Sequence, residues 1–482
     1  MQFANLGKLN LKEKWFFVFS IIACLSVFLT AATVRFEWLL FPIALLFTYQ
    51  LVSDFRPLFF LVWFLIPIST ELDLPGGISL DFPDEPLVII MMFTYLVYLI
   101  QQGKSLNLSF FRHPLTLLLL MHLSWIFLSM ITSNIFIVSF KYFLSKIWYV
   151  TVFFFMSGHF IKQHKDQLLL VKYASTTLVF TVIYALIRHS IVGFSFVDVN
   201  KILEPFYRNH VNYACLLALF LPYIWYIIGC YEKGTIKRRL WIIIAVLLII
   251  GIQFSYTRAA YVALFAAFGA YYVVKLKFIK PTLAIALVSI IILVFSLVRN
   301  NKYLDYAPDF NKAITQQNFD KLVEATYKME DISTMERVYR WVAGAHMARV
   351  HPIVGFGPGN FYNFYKSYTI SNFKTYVSDN PEKSSVHCYY LLMIIDQGYF
   401  GLLFFIVLLF GALIYGEKIY HKTINKIDKR FVMAAILSLI IIAILNLIND
   451  MIETDKVGAF FFLALAIIVN IDLKNRNALT AL

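Results

Sequence analysis

Charge is scarce in this chain. Asp, Glu, Lys and Arg make up 15% of its 482 residues against 60% hydrophobic, a balance that excludes a soluble domain of this length. Cysteine is scarcer still, with Cys24, Cys215, Cys230 and Cys388 in or beside apolar runs and no CxxC spacing. That removes zinc ribbons and thiol redox motifs, and buried structural thiols are expected. There is no Walker A loop, no HExxH and no DxD, and Gly355-Phe-Gly-Pro-Gly359 lacks the flanking strand and helix of a nucleotide fold. No ATP use, no cofactor and no metal are therefore expected. The acidic cluster Asp81, Asp84 and Glu85 offers carboxylates to a divalent cation, but a solvated loop accounts for it better.

What the chain has is apolar length. Fourteen apolar segments run roughly over 15–34, 36–52, 57–70, 86–101, 113–133, 142–161, 168–189, 210–230, 239–254, 257–275, 281–298, 389–415, 431–449 and 456–471. Most approach the ~17–25 residues a helix needs to cross hydrocarbon, and because the third and fourth are short the expectation is an all-α polytopic membrane protein with about 12–14 transmembrane helices. The first segment follows Lys8, Lys12 and Lys14 and is too long for a signal core, so it reads as an uncleaved anchor.

Charge then assigns the faces. With the N-terminus in the cytoplasm, the connections on that side carry 23 Lys/Arg and 7 Asp/Glu, and the outer side carries 19 and 21. The basic clusters, among them Lys233, Lys237, Arg238 and Arg239, obey the positive-inside rule, so both termini are expected in the cytoplasm and nucleic acid is excluded as the partner of the +14 net charge. The expected organisation is a membrane part over 1–298, one large outer insertion over 299–386, mostly helical, and a second membrane part over 387–482.

The insertion has readable pieces. Residues 310–330 mix apolar and charged side chains as a surface-lying helix would. Ser333 and Glu336 have capping-box spacing, and Val338, Trp341, Val342, Ala345 and Ala348 recur at helical spacing, which predicts a helix over about 334–350 that ends at His351-Pro352. Smaller outer loops are expected at 71–85 and 190–209.

Every chemically suggestive residue falls on the outer face. Arg258, in Ser255-Tyr-Thr-Arg-Ala-Ala260, sits at an outer hairpin where a guanidinium at membrane depth costs at least ~2.5–3.5 kcal/mol without a partner. A ligand contact and snorkelling to water both answer that cost. Arg337 and Arg340, three apart, share a face near a helix N-terminus, as a phosphate grip or as a solvated basic face. Arg208, in Tyr207-Arg-Asn-His-Val-Asn212, carries the same ambiguity. His387, where the insertion returns to the membrane, can titrate near neutral pH and act as a base, or be structural. Asp396 lies nine residues on, about 13 Å along a helix, too far to touch it. It suits a supporting or packing role and needs a buried partner.

Four pieces in order resemble the O-antigen ligase/polymerase superfamily: Phe206-Tyr-Arg-Asn-His-Val-Asn-Tyr-Ala214, Ser255-Tyr-Thr-Arg-Ala-Ala260, Glu336-Arg-Val-Tyr-Arg-Trp341 with His351-Pro-Ile-Val-Gly-Phe-Gly-Pro-Gly-Asn-Phe361, and Val386-His-Cys-Tyr-Tyr-Leu-Leu392 with Asp396-Gln-Gly398. They span about 200 residues; the first 190 match in hydropathy alone. The resemblance implies a membrane glycosyltransferase similar to the lipid-donor, GT-C-like enzymes, sited in a bacterial inner membrane with its active site facing the periplasm. Its donor would be an undecaprenyl-diphosphate-linked glycan and its acceptor lipid A-core or another glycan. Carried over by motif, Arg258 and one of Arg337 or Arg340 would clamp the diphosphate, Arg208 would help, and His387 would be the base. The sequence departs from the family at Cys388, where Asn is usual, and at Asp396, where Glu is common.

Chemistry agrees with that implication. A diphosphate leaving group needs its growing charge stabilised, and fixed guanidinium forks do this without a metal. Ligation to lipid A-core, chain polymerisation and protein O-oligosaccharyl transfer share this donor and these motifs. A flippase or transporter of polyisoprenoid-linked sugars, the reading from another class, would set charges at midplane in several helices.

Overall fold

The computed structural model describes residues 11–33, 35–74, 78–105, 107–300, 302, 332–373, 378–380 and 383–480. The helices are α1 (Leu11–Thr33), α2 (Leu40–Ser53), α3 (Arg56–Leu65), α4 (Asp84–Gln102), α5 (Pro114–Ile131), α6 (Phe136–Tyr149), α7 (Ser157–Phe160), α8 (His164–Ile191), α9 (Val199–Leu203), α10 (His210–Ile228), α11 (Ile236–Gln253), α12 (Arg258–Lys275), α13 (Ile279–Val298), α14 (Ile332–Val350), α15 (Phe361–Phe364), α16 (Tyr389–Lys422), α17 (Lys426–Leu445) and α18 (Asp455–Thr480). A π-helical stretch, Val150–Met156, joins α6 to α7.

All fourteen apolar segments fall on helix, as they must, because hydrocarbon offers no partner to a backbone N–H or carbonyl. Eight helices among the described residues are long and apolar enough to cross a membrane: Asp84–Ser105, Pro114–Ile131, Phe136–Phe160, His164–Ile191, His210–Ile228, Ile279–Val298, Tyr389–Lys422 and Asp455–Ala478. Val18–Thr33, Leu40–Ser53 and Arg56–Ile68 are shorter apolar helices. The protein is an all-α, multi-pass membrane protein.

Local signals set the helix starts. Asn209 accepts from the Asn212 N–H, Thr235 from the Arg238 N–H, and Asn425 from the N–H groups of Ile427 and Asp428. Gln163 and Asp166 form a reciprocal capping box. The bundle centres on α18, buried over 89% of its apolar window, with α17 packed against it and against α10 and α12. α16 packs on α5, α14 and α17. α13 stands apart, with none of its apolar window buried.

The outer loop expected over 71–85 is an antiparallel hairpin, β1 (Thr70–Leu74) with β2 (Ile78–Phe82), in which Glu71 faces Asp81 and Leu72 faces Leu80. Its acidic cluster is not a solvated loop: Asp84 is 2% exposed at the start of α4, and Asp81 and Asp84 both feel the charges of Asp455 and Lys456 at the start of α18. The cysteines are free, but only Cys215 is buried, and Cys24 faces outward from α1. The expected surface helix over 310–330 lies outside the described residues.

The insertion helix begins earlier than its spacing predicts. α14 runs from Ile332, which puts Ser333 in its first turn. The Ser333 hydroxyl accepts from Arg337 at 2.7 Å, and the Glu336 carboxylate accepts from Ser378 at 2.8 Å and from Arg340 at 3.4 Å.

Candidate active site

His387 stands at the entrance to α16 with φ of 54°, a left-handed conformation that costs a non-glycine residue roughly 1–3 kcal/mol and persists only where neighbours enforce it. The enforcement is visible two residues on, where the Tyr389 N–H donates to the carbonyls of Asn446 and Asn449 at 2.9 and 3.1 Å. The connection between α17 and α18, residues 446–454, is thereby stitched to the first turn of α16.

It brings an acid with it. His387 Nδ1 lies 3.7 Å from Asp450 Oδ1, within ion-pair range, with the two side chains 29% and 19% exposed. Burial alone would push the Asp450 carboxyl up, but His387 and then Ser385 outweigh it and hold the carboxyl below its usual range. The pair is a carboxylate set against an imidazole that water can still reach.

The two insertion arginines separate. Arg340, 6% exposed, donates to Glu336 on its own helix and to the Ser385 carbonyl at 3.3 Å. Arg337 is half-buried, and its Nε donates to the Ile448 carbonyl at 3.2 Å.

Arg258 opens α12, where Thr257 donates to the carbonyl of His210 at 3.2 Å and so docks the turn on the start of α10. His210 is held by Asn200, whose Oδ1 accepts from the His210 backbone N–H at 3.0 Å and lies 2.8 Å from its ring Nδ1. The guanidinium charges of Arg258 and Arg337 both act on that ring. Two arginines more than seventy residues apart in sequence thus lie within electrostatic range of one histidine, whose ring pKa is depressed first by burial. Arg208 is exposed, two residues ahead of it.

Asp396 belongs to a different piece of architecture. α16 is broken at Gly398, whose φ is 72°, and the glycine-rich stretch after α14 fills the break. Phe356 N–H donates to the Ile395 carbonyl at 2.8 Å, Gly357 N–H to the Asp396 carbonyl at 3.0 Å, and Tyr399 N–H to the Pro352 carbonyl at 2.8 Å. The Asp396 carboxylate, fully buried, accepts from Gly359 N–H at 2.8 Å. It secures the loop and does not reach His387.

Residues 243–406 match the sequence model of the O-Antigen ligase family. This segment is similar to O-antigen ligases. No curated protein matches the chain. The matched segment holds Arg258, Arg337, Arg340, His387 and Asp396, and leaves out Arg208, His210 and Asp450. Sequence reasoning missed the last two. Asp450 carried a signal, since it lies in a short acidic outer connection, Asn449-Asp-Met-Ile-Glu-Thr-Asp455, between two apolar segments. Among the described residues no group of three His, Cys, Asp or Glu side chains is arranged to hold a metal ion.

Proposed function

We propose that this protein transfers a glycan from undecaprenyl diphosphate to an acceptor hydroxyl, with O-antigen ligation to lipid A-core as the reaction, at the periplasmic face of a bacterial inner membrane. The observation that supports the reading is the His387–Asp450 pair, with Arg337 tied to the carbonyl two residues ahead of Asp450 and Arg258 next to the turn docked on His210. An anionic leaving group and a hydroxyl that must lose a proton require those two kinds of group side by side.

In this mechanism the acceptor hydroxyl gives its proton to His387 Nε2, since Nδ1 faces Asp450. The acceptor oxygen then attacks the anomeric carbon, the bond from that carbon to the diphosphate oxygen breaks, and undecaprenyl diphosphate leaves with the bonding pair. Arg258 and Arg337 stabilise the charge that grows on it, with Arg208 beside the approach. Arg340 and Asp396 act through structure: one ties down the backbone ahead of His387, the other the glycine-rich loop.

The interior Lys146 is paired with Glu453 at 2.8 Å, and that neutralised pair favours the enzyme over a transporter. The deciding experiment is purified protein in lipid vesicles with an undecaprenyl-diphosphate-linked glycan, lipid A-core and excess EDTA. Glycan joined to lipid A-core is the expected result. Growth of the lipid-linked chain without joining would make the protein a polymerase, and activity lost to chelation and restored by magnesium would overturn the metal-free mechanism.

A further inference from the structure

Lys146 lies ten residues into the Phe136–Phe160 span, about 15 Å from its start. Its side chain is 9% exposed, and its Nζ sits 2.8 Å from Glu453 Oε2. The other carboxylate oxygen of Glu453 accepts from the Tyr142 hydroxyl at 2.8 Å, one turn of α6 away. An ionisable group at this depth is retained only where it is paired and used.

The partner shows the use. Glu453 closes the 3₁₀ turn Met451–Glu453, whose Met451 and Ile452 are buried, so the connection between α17 and α18 dips into the bundle. Asp450 is the residue immediately before that turn. Further ties hold the same connection: Asn446 and Asn449 to Tyr389, Ile448 to Arg337, and Lys456, which donates to the carbonyls of Ser69 and Phe206 at 2.8 and 2.7 Å. Glu453, three residues after Asp450, ties this connection by its side chain to α6.

We propose that the intramembrane pair Lys146–Glu453 is a positioning device that sets the depth of this turn and thereby the place of Asp450 against His387. Lys146 and Glu453 are positioning residues and touch no substrate. They lie outside the matched segment at 243–406, so the geometry of the site is completed by parts of the chain on both sides of the recognisable segment. The proposal rests on the functional reading above.

The test is Lys146→Met/Glu453→Gln, which removes both charges at similar volume and leaves Tyr142 an acceptor, so that no ion is stranded in the interior. In lipid vesicles kcat is expected to fall about tenfold to a hundredfold, the cost of displacing a catalytic group slightly, with the KM for lipid-linked donor held within about twofold. Amide exchange over 446–456 should quicken in parallel. A folded double variant with wild-type kcat overturns the proposal, and so does one with unchanged kcat and raised donor KM, which would mean that the pair contacts substrate. Should the double variant not fold, Tyr142→Phe cuts one of the two ties to Glu453; a several-fold fall in kcat is expected, and none overturns the proposal. If the wild-type protein transfers nothing from a lipid diphosphate, the functional reading fails, and exchange over 446–456 still decides whether the pair holds the turn.

Discussion

Arg340 donates to the carbonyl of Ser385, two residues ahead of His387, and Arg337 to the carbonyl of Ile448, two residues ahead of Asp450. One face of α14 therefore grips the backbone beside each member of the His387–Asp450 pair. The insertion helix does more than cover the site; it registers α16 against the connection that carries Asp450.

The two arginines should part in mutagenesis. Arg340→Ala leaves the buried Glu336 with Ser378 but without its counter-charge, and breaking a buried pair costs about 3–5 kcal/mol, so Tm in detergent should drop. Arg337→Ala should leave Tm nearly unchanged and lower kcat roughly 10²–10³-fold, as removal of a donor to developing charge does. Stable Arg340→Ala protein with Arg337→Ala at the wild-type rate would reverse the assignment.

Arg258→Lys keeps a charge but loses the planar fork. Transfer is expected to fall at least about tenfold while the protein inserts normally, because a point charge on a flexible stem cannot bridge two phosphate oxygens. Full activity in membranes would return Arg258 to the role of an interfacial snorkelling residue.

His387→Ala should leave a folded protein with transfer reduced roughly 10²–10⁴-fold, the usual contribution of a base. Asp450→Asn should cost less, and the double variant should be no worse than His387→Ala alone, because the carboxylate acts through the imidazole. Additive losses would show that Asp450 works independently.

Asp81, on β2, is pushed up to about 7 from a carboxylate's ordinary 3.8, first by burial and then by the charge of Asp455. The folded state then holds a proton that the unfolded state has already released between those values, so stability falls as pH rises through that window. Tm followed from pH 4.5 to 7.5 should decline, and Asp81→Asn should flatten the decline. A wild-type Tm independent of pH over that range would count against the shift.

Much of this was legible in the residues. Apolar runs gave the helices, because a chain in hydrocarbon has few other ways to satisfy its backbone, and motif order singled out Arg258, the insertion arginines and His387 as candidates. Spacing alone could not separate Arg337 from Arg340, since residues three apart share a face and only packing decides which one meets Glu336 and Ser385. Asp450 was missed because it lies 63 residues beyond His387, in a connection too short to suggest function. The burial of Asp84 was missed because a hairpin folded onto the start of α18 has the same composition as a solvated acidic loop.

α18 follows every other described helix in the chain, yet it is the most deeply enclosed of the candidate spans. Synthesis must therefore deliver its innermost element after its walls are already in the bilayer, so the bundle has to stay open until α18 slots in. Only then is the connection that carries Asp450 held at both of its ends. The His387–Asp450 contact is thus framed by an element that the chain supplies late.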